Sequence, residues 1–304
     1  MIKHYLKVAF RNLIKYKTQS LVSIIGLAVG FTCFALSVLW IRYEMTYDNF
    51  HEGADRIYLV RAHYANEPGT SKFTPYPLMK YLQDKMPEIE AVTAFTAHYV
   101  KFRMEDTEQE IGMIAADSVF MNFFDIQLLK GTVNFLKCDG QEVAITKEFA
   151  KRLFSKEEDA LGKEVEVGRR VCKIGAIVSG WSNHSNIPYN ILAPARHSPQ
   201  WGSSNEQLLI RVRERTDIDA FRTKMSTVCI NDIEKESELS DLLITRMSAL
   251  RYSDYVDKAD VVISFSYIFY FSLAGGLVII CSLFNYLTLF ISRLCMRNLS
   301  LIHI

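Results

Sequence analysis

Apolar residues follow two regimes along this chain. Leu21–Ile41 and roughly Val261–Ser292 contain no charged residue, whereas the residues between them alternate short apolar runs with polar breaks. As a helix, Leu21–Ile41 is ~31 Å long, enough for a hydrocarbon core of ~30 Å. The second run would reach ~48 Å as one helix, longer than a bilayer is thick. Its early part, Val261–Ser266, therefore reads as a stalk outside the membrane that continues into the span.

The intervening segment of roughly 220 residues is long enough to bury its own core. Ile57–His63 and Tyr99–Met104 read as strands, the latter alternating Val100, Phe102 and Met104. Pro75–Met86 reads as a helix opened by prolines, and Asp117 as the cap of a short helix containing Phe120 and Phe124. Glu142–Ile145 forms a strand leading into a helix, Thr146–Phe154. Val165–Val167 and Val171–Val178 make a hairpin around Gly168, Arg169 and Arg170. Leu208–Val212 is a strand, Asp217–Ile233 a helix with Ile218, Phe221, Met225 and Val228 on one face, and Leu242–Met247 a final strand. The pattern predicts an α+β fold in two small lobes.

Charge then orients the two spans. Lys3, Lys7, Arg11, Lys15 and Lys17 precede the first, while Glu44, Asp48, Glu52 and Asp55 follow it with Arg42. Asp254, Asp257, Lys258 and Asp260 precede the second, and Arg293 and Arg297 follow it. The positive-inside bias puts both termini in the cytoplasm and the large segment outside. The apolar core is too long for a cleaved signal peptide, and Trp40, Tyr43 and Tyr47 at its outer end suit a membrane interface. Lys3, Lys7, Arg11 and Lys15 recur every fourth residue opposite Leu6, Phe10 and Leu13. Such a stripe repels itself in isolation and suits a helix lying on anionic headgroups of the inner leaflet.

Composition excludes several classes. The chain has 304 residues, 35 basic against 34 acidic side chains and 49% hydrophobic content, so no nucleic-acid surface is indicated. Of six cysteines, Cys33, Cys281 and Cys295 fall in or beside the spans. Cys138, Cys172 and Cys229 fall outside, an odd number that allows at most one disulfide, with the pairing open. The seven histidines show no metal-binding spacing, and no Gly-x4-Gly-Lys loop is present for ATP. The run Gly180–Asn186 contains Ser and His, but its residue types favour turns over a nucleophile. Glu44, Asp48, Asp55 and Arg56 are expected to pair as ions that scaffold the junction after the first span. No catalytic, cofactor or metal site is expected.

Within the spans, Gly26 and Gly30 form a GxxxG surface that another helix can approach closely. Gly275, Gly276 and the deeper Asn285 are the corresponding packing candidates of the second span, the amide seeking a polar partner.

Several blocks together resemble the MacB/FtsX-type permease subunits of ABC transporters. They are Phe10–Leu13, Ser20, Gly26–Gly30, Glu44–His51 and Asp55–Tyr58. The outer segment continues the likeness to that family's MacB-like periplasmic core domain in Pro87–Val92, Phe120–Gly131, Ala144–Ala150 with Phe154, Leu161–Lys163 and the run from Ile174 through Leu192. The resemblance implies two transmembrane helices flanking an α+β periplasmic domain, in an inner-membrane protein. The divisions are a cytoplasmic basic helix (1–20), a first span (21–41), a core domain (42–262), a second span with its stalk (263–292) and a cytoplasmic tail (293–304). It further implies a subunit without ATPase motifs of its own, paired with a second permease copy or half. A cytoplasmic ABC ATPase would drive it, and periplasmic or outer-membrane proteins would meet it outside. Relatives export antibiotics, peptides or lipoproteins, or signal to the periplasm by transmitting motion. Family members continue past the second span with a charged coupling segment, whereas Leu294–Ile304 is mostly apolar. The chain therefore reads as an N-terminal fragment whose residues from about Leu299 are not native family sequence. Topology alone also fits a two-span sensor or accessory subunit with a periplasmic ligand-binding domain, or a membrane-anchored periplasmic enzyme.

Overall fold

The computed structural model describes residues 4, 11, 14–15, 17–65, 69–105, 107–137, 141–228, 239–252 and 265–302. By contacts the chain forms two units, Met1–Thr46 with Ile263–Ile304, and Tyr47–Val262. In chain order the elements begin with α1 (Lys17–Met45), β1 (Ile57–Tyr64), β2 (Thr70–Ser71), β3 (Thr74–Pro75), α2 (Pro77–Lys85), β4 (Ile89–Met104) and β5 (Thr107–Ala116). There follow α3 (Ser118–Phe123), β6 (Leu128–Gly131), β7 (Glu142–Thr146), α4 (Lys147–Leu153), β8 (Glu164–Val167) and β9 (Arg170–Val178). The last are β10 (Ile191–Pro194), β11 (Ser204–Val212), α5 (Ile218–Ser226), β12 (Leu239–Arg246) and α6 (Phe265–Ile302).

The first unit is the helix pair. Ser20–Met45 of α1 and Phe269–Thr288 of α6 are long and apolar enough to cross a membrane. Leu21, Phe31, Leu36 and Leu39 on α1, and Phe269, Leu277 and Phe284 on α6, stand exposed. Exposed apolar surface of that extent is uncommon on monomeric soluble proteins and marks a membrane or protein contact.

The second unit is built on one sheet in the order β12-β1-β11-β4-β5-β10-β7-β9-β6. β10 runs parallel to β5 and β7 parallel to β9, and the other pairings are antiparallel. β8 pairs with both β4 and β9, so β4, β5, β10, β7, β9 and β8 close into a ring of hydrogen bonds. Side-chain alternation separates the cores. Phe102, Ile111, Ile145, Val165, Ile174 and Ile191 fill the ring with Phe149 of α4. Tyr58, Val60, Leu208, Ile210 and Ile244 meet Leu78 and Leu82 of α2 and Phe221 of α5 at the open end. The opposite positions of the same strands, among them Ile57, Leu59, Phe95, Ile114, Ala144 and Leu209, pack on Phe120, Phe123 and Phe135. The two lobes expected from the sequence are thus a closed ring and an open sheet that share β4, inside a single contact unit.

Local chemistry sets the element ends. Asp117 caps α3 by accepting from the Val119 and Phe120 amides at 2.9 and 3.1 Å, and Thr146 caps α4 through the Phe149 amide at 3.3 Å. Each cap contributes about 1 kcal/mol. Gly168, at φ 65, makes the turn between β8 and β9.

Several boundaries differ from the sequence reading. The helix expected from Pro75 starts at Pro77, because Thr74 and Pro75 pair with Glu206 and Ser204 of β11 instead. The strand expected at Tyr99–Met104 begins ten residues earlier, at Ile89, and β5, β6 and β10 were not expected. β5 opens with Thr107, Glu108, Gln109 and Glu110, whose pairing with β4 no local apolar pattern signals. α5 stops at Ser226, and the rest of the helix expected to Ile233 lies mostly outside the described residues, as does the stalk at 261–264. Cys172 is buried in β9, while Cys138 and Cys229 lie outside the described residues.

Candidate functional site

The residues directly after α1 are drawn into the sheet unit by a buried carboxylate. Tyr47 and Asp48 are buried, Asp48 at 0% exposure. Asp48 adopts φ 58, a left-handed conformation that aspartate tolerates better than most side chains. Its carboxylate accepts from the Ser185 hydroxyl at 2.5 Å, the Asn186 side-chain amide at 2.5 Å and the Asn186 backbone N–H at 3.1 Å. The Asp48 amide in turn donates to the His184 carbonyl at 3.3 Å, and the Tyr47 ring meets the His184 ring edge-on at 4.1 Å.

The same amide of Asn186 donates to the Met247 carbonyl at 3.1 Å. Met247 opens the short 3₁₀ turn Met247–Tyr252 after β12, on the chain's way to α6. Three distant stretches, the exit from α1, the 182–187 loop and the approach to α6, therefore share one hydrogen-bonded knot. Burial pushes the Asp48 carboxyl above its ordinary value, and the Ser185 and Asn186 hydrogen bonds pull against that shift. Three donors, the Ser185 hydroxyl and the backbone and side-chain N–H groups of Asn186, thus offset part of the desolvation cost, and the His184 ring adds a smaller electrostatic contribution in the same direction.

The knot is roofed by aromatic rings. His51 lies 4.8 Å from Phe124 and 4.9 Å from Trp181, ring centroid to centroid. Burial, reinforced by the charge of Arg211, lowers His51 to about 4, so its ring is neutral at pH 7. Trp181 donates to the Ile187 carbonyl at 3.1 Å and packs on Tyr189 at 4.5 Å, and the Tyr189 hydroxyl donates to the Ser179 carbonyl at 2.8 Å. The loop is fixed at both ends. Chemically this arrangement holds and orients: the Ser185 hydroxyl donates to a carboxylate and accepts from the Ile187 amide at 3.1 Å. Among the described residues no group of three His, Cys, Asp or Glu side chains could hold a metal ion.

Of the residues expected to pair as ions, Glu44, Asp48, Asp55 and Arg56, two take their main partners from elsewhere, while the charge of Asp55 acts on Arg56 as expected. Asp48 binds neutral donors, and Arg56 pairs with Glu90 at 2.6 Å, a residue 34 positions away. The knot itself was missed in the sequence. Its only signal was the polar run Gly180–Asn186, which has no local reason to meet Asp48.

In the helix pair, the Ser282 hydroxyl donates to the Gly26 carbonyl at 3.1 Å. A Cβ on Gly30 would collide with Ser282, and one on Gly275 would lie 3.0 Å from the Ser37 hydroxyl. A Cβ on Gly276 would meet nothing within 4 Å. The Trp40 and Phe271 rings meet between the same helices at 5.0 Å, tilted by 44°. Asn285 lies on α6, and its side chain is outside the described residues. Arg11 and Lys15 are helical and exposed, whereas Lys3 and Lys7 lie outside the described residues.

Comparison with known proteins places this geometry. A family model for the MacB-like periplasmic core domain matches residues 20–228. None of the curated proteins matches the chain. Among solved structures, a domain assigned to a permease protein of Porphyromonas gingivalis has 18% identity and a TM-score of 0.51, covering 64% of this chain and 91% of that one. The extracellular domain of the noncanonic ABC-type transporter YknZ from Gram-positive bacteria has 14% identity and a TM-score of 0.46, covering 62% and 99%. The periplasmic region of MacB from Actinobacillus actinomycetemcomitans has 12% identity and a TM-score of 0.45, covering 65% and 92%. The matched family segment begins inside α1 and runs to the end of α5 and its cap.

Proposed function

This chain belongs to the MacB-like periplasmic core domain family, and we propose that it is a membrane subunit of an ABC-type transporter. In this reading α1 and α6 span the cytoplasmic membrane with both termini inside, and the sheet unit lies in the periplasm. A cytoplasmic ATPase partner changes the packing of the helices, and two permease copies or halves work together. The sheet unit moves with the helices and handles an exported antibiotic, peptide or lipoprotein, or relays a periplasmic signal. The basic stripe of Lys3, Lys7, Arg11 and Lys15 lies on the inner leaflet.

The observation that carries this reading is the family match, which joins the first apolar helix and the sheet unit in one continuous segment. The Asp48 knot supports the mechanical part. Asp48, Asn186 and Met247 are linked by two consecutive hydrogen bonds, a short path by which a displacement after α1 would reach the end of β12. Close approach at Gly30 and Gly275, with the Ser282 hydroxyl on the Gly26 carbonyl, supplies a tight helix contact that small residues make possible.

The test uses the tagged full chain in membranes of its host. A cytoplasmic ATPase is expected to co-purify in mild detergent. A Y99C variant, exposed in the native chain, is expected to react with an impermeant maleimide from outside intact spheroplasts. Recovery without any ATPase would favour a sensor or accessory subunit, and labelling only after lysis would sink the topology.

A further inference from the structure

A cleft of about 540 Å³ lies where Glu52–Tyr58, the turn from β11 into α5 and the end of β12 meet. These separate segments bring Arg56, Arg213, Arg215 and Arg246 to its walls. Guanidinium groups held near one another repel, and an anion that several of them can reach relieves that repulsion. Arg56 has one, pairing with Glu90 at 2.6 Å and approaching Glu214 at 4.0 Å. Arg213 spends only its Nε, on the Pro87 carbonyl at 2.9 Å. Arg246 lies over the Tyr58 ring, 5.9 Å from its centroid. Among the described residues, no carboxylate is within ion-pair distance of Arg213, Arg215 or Arg246.

Other groups in the cleft are already engaged. The Thr216 hydroxyl donates to the Arg213 carbonyl at 2.9 Å, and beside the cleft Asp217 accepts the Asp219 and Ala220 amides that open α5. An incoming anion would therefore be met by guanidinium side chains, above a floor of buried Tyr58 and Val212. Two backbone features keep the site in this form. Arg215 holds φ 64, in the left-handed region that non-glycine residues adopt seldom. Gly53 holds φ 65, and a Cβ there would press within 3.2 Å of the Arg56 guanidinium. Glu52, Asp55 and Glu214 also line the cleft, so selection rests on the geometry of the forks more than on bulk field.

We propose that this cleft binds a phosphate-bearing ligand through Arg213, Arg215 and Arg246, with Arg56 as a structural pin. Several guanidinium forks lining one cleft suit a phosphoryl group, which offers more acceptor oxygens than a carboxylate. The same chemistry is presented by free phosphate and by an anionic lipid headgroup. The site does not depend on the transporter reading above.

The test takes the full chain in detergent and follows ³¹P line broadening of inorganic phosphate and, separately, of dihexanoyl phosphatidylglycerol. At least one of the two should broaden, with affinity falling about tenfold or more in R213Q/R215Q/R246Q. Broadening by phosphate assigns a soluble ligand, and broadening by the lipid alone assigns a headgroup. The unfolding midpoint checks that the triple variant folds. If it does not, R215Q alone, at an exposed position, should weaken binding about threefold. Binding by neither probe, or undiminished binding in the folded variant, overturns the proposal.

Discussion

Asp48 and Asn186 stand 138 positions apart, yet the carboxylate of one receives both the side-chain amide and the backbone N–H of the other, at 2.5 and 3.1 Å. Through its own amide Asn186 also reaches Met247. This pair fixes the start of the sheet unit to the stretch that precedes its end.

Removing that carboxylate leaves Ser185 and Asn186 donors buried without an acceptor. D48A should lose about 3 kcal/mol of stability, and D48N less, because its amide retains one acceptor oxygen. Urea unfolding of the full chain in detergent, followed by Trp181 fluorescence in a W40F/W201F background, reads the effect. A midpoint unmoved by D48A would remove the knot from the account.

His197 lies 3.2 Å from Glu206 and 3.7 Å from Asp117, and stacks on Tyr76 at 4.1 Å. Burial opposes its charge, but the two carboxylates prevail and raise it to about 9. A raised value means the stabilisation is complete below the unfolded value of ~6.5 and is lost as pH rises toward 9. His51, lowered to about 4, acts in the opposite direction: its contribution is complete above ~6.5 and fades as pH falls toward 4. Thermal midpoints between pH 4 and 9.5 should therefore fall on both sides, and H197Q should flatten the alkaline side by on the order of 2 kcal/mol. An alkaline decline identical in H197Q would assign it to other groups.

Phe149 is fully buried in the ring and meets Phe102 at 5.1 Å and 72°. F149A should cost about 3–5 kcal/mol. Because the ring and the open sheet share β4, the loss should appear equally at Trp201, which packs at the open end. Separate midpoints for Trp181 and Trp201, each observed in a background lacking the other tryptophans, would show instead that the two lobes unfold independently.

The helix contact is tested by chemistry. With native cysteines removed, S37C and G275C should form a disulfide, since a Cβ at Gly275 would lie 3.2 Å from that of Ser37. Adding G30L should lower the yield, because Gly30 has no room for a side chain against Ser282. Equal yields with and without G30L would argue against this packing.

Some of the fold was written locally. The uncharged run Leu21–Ile41 lies within α1, and the caps Asp117 and Thr146 start helices because their oxygens meet amides only two or three residues away. The hairpin around Gly168 and the apolar faces of α2 and α5 are equally local, since 3.6- and 2-residue periods need no knowledge of partners. The family likeness was legible for the same reason, as its motifs are short and contiguous. What remained hidden depends on groups far apart in sequence. β5 is extended because β4 offers it a full register, not because Thr107–Glu110 favours a strand. Arg56 looked ready to pair with nearby acids and found Glu90, while Asp48 found Ser185 and Asn186. The sequence alone determined which segments are apolar, where the capped helices α3 and α4 begin and which end of each long apolar helix is basic, because those follow from composition and spacing. Only the tertiary structure decided that the sheet closes through β8, that a buried carboxylate joins the two ends of the outer unit and that arginines converge in one cleft. Those are long-range pairings, set by which chain segments the fold brings within hydrogen-bonding distance.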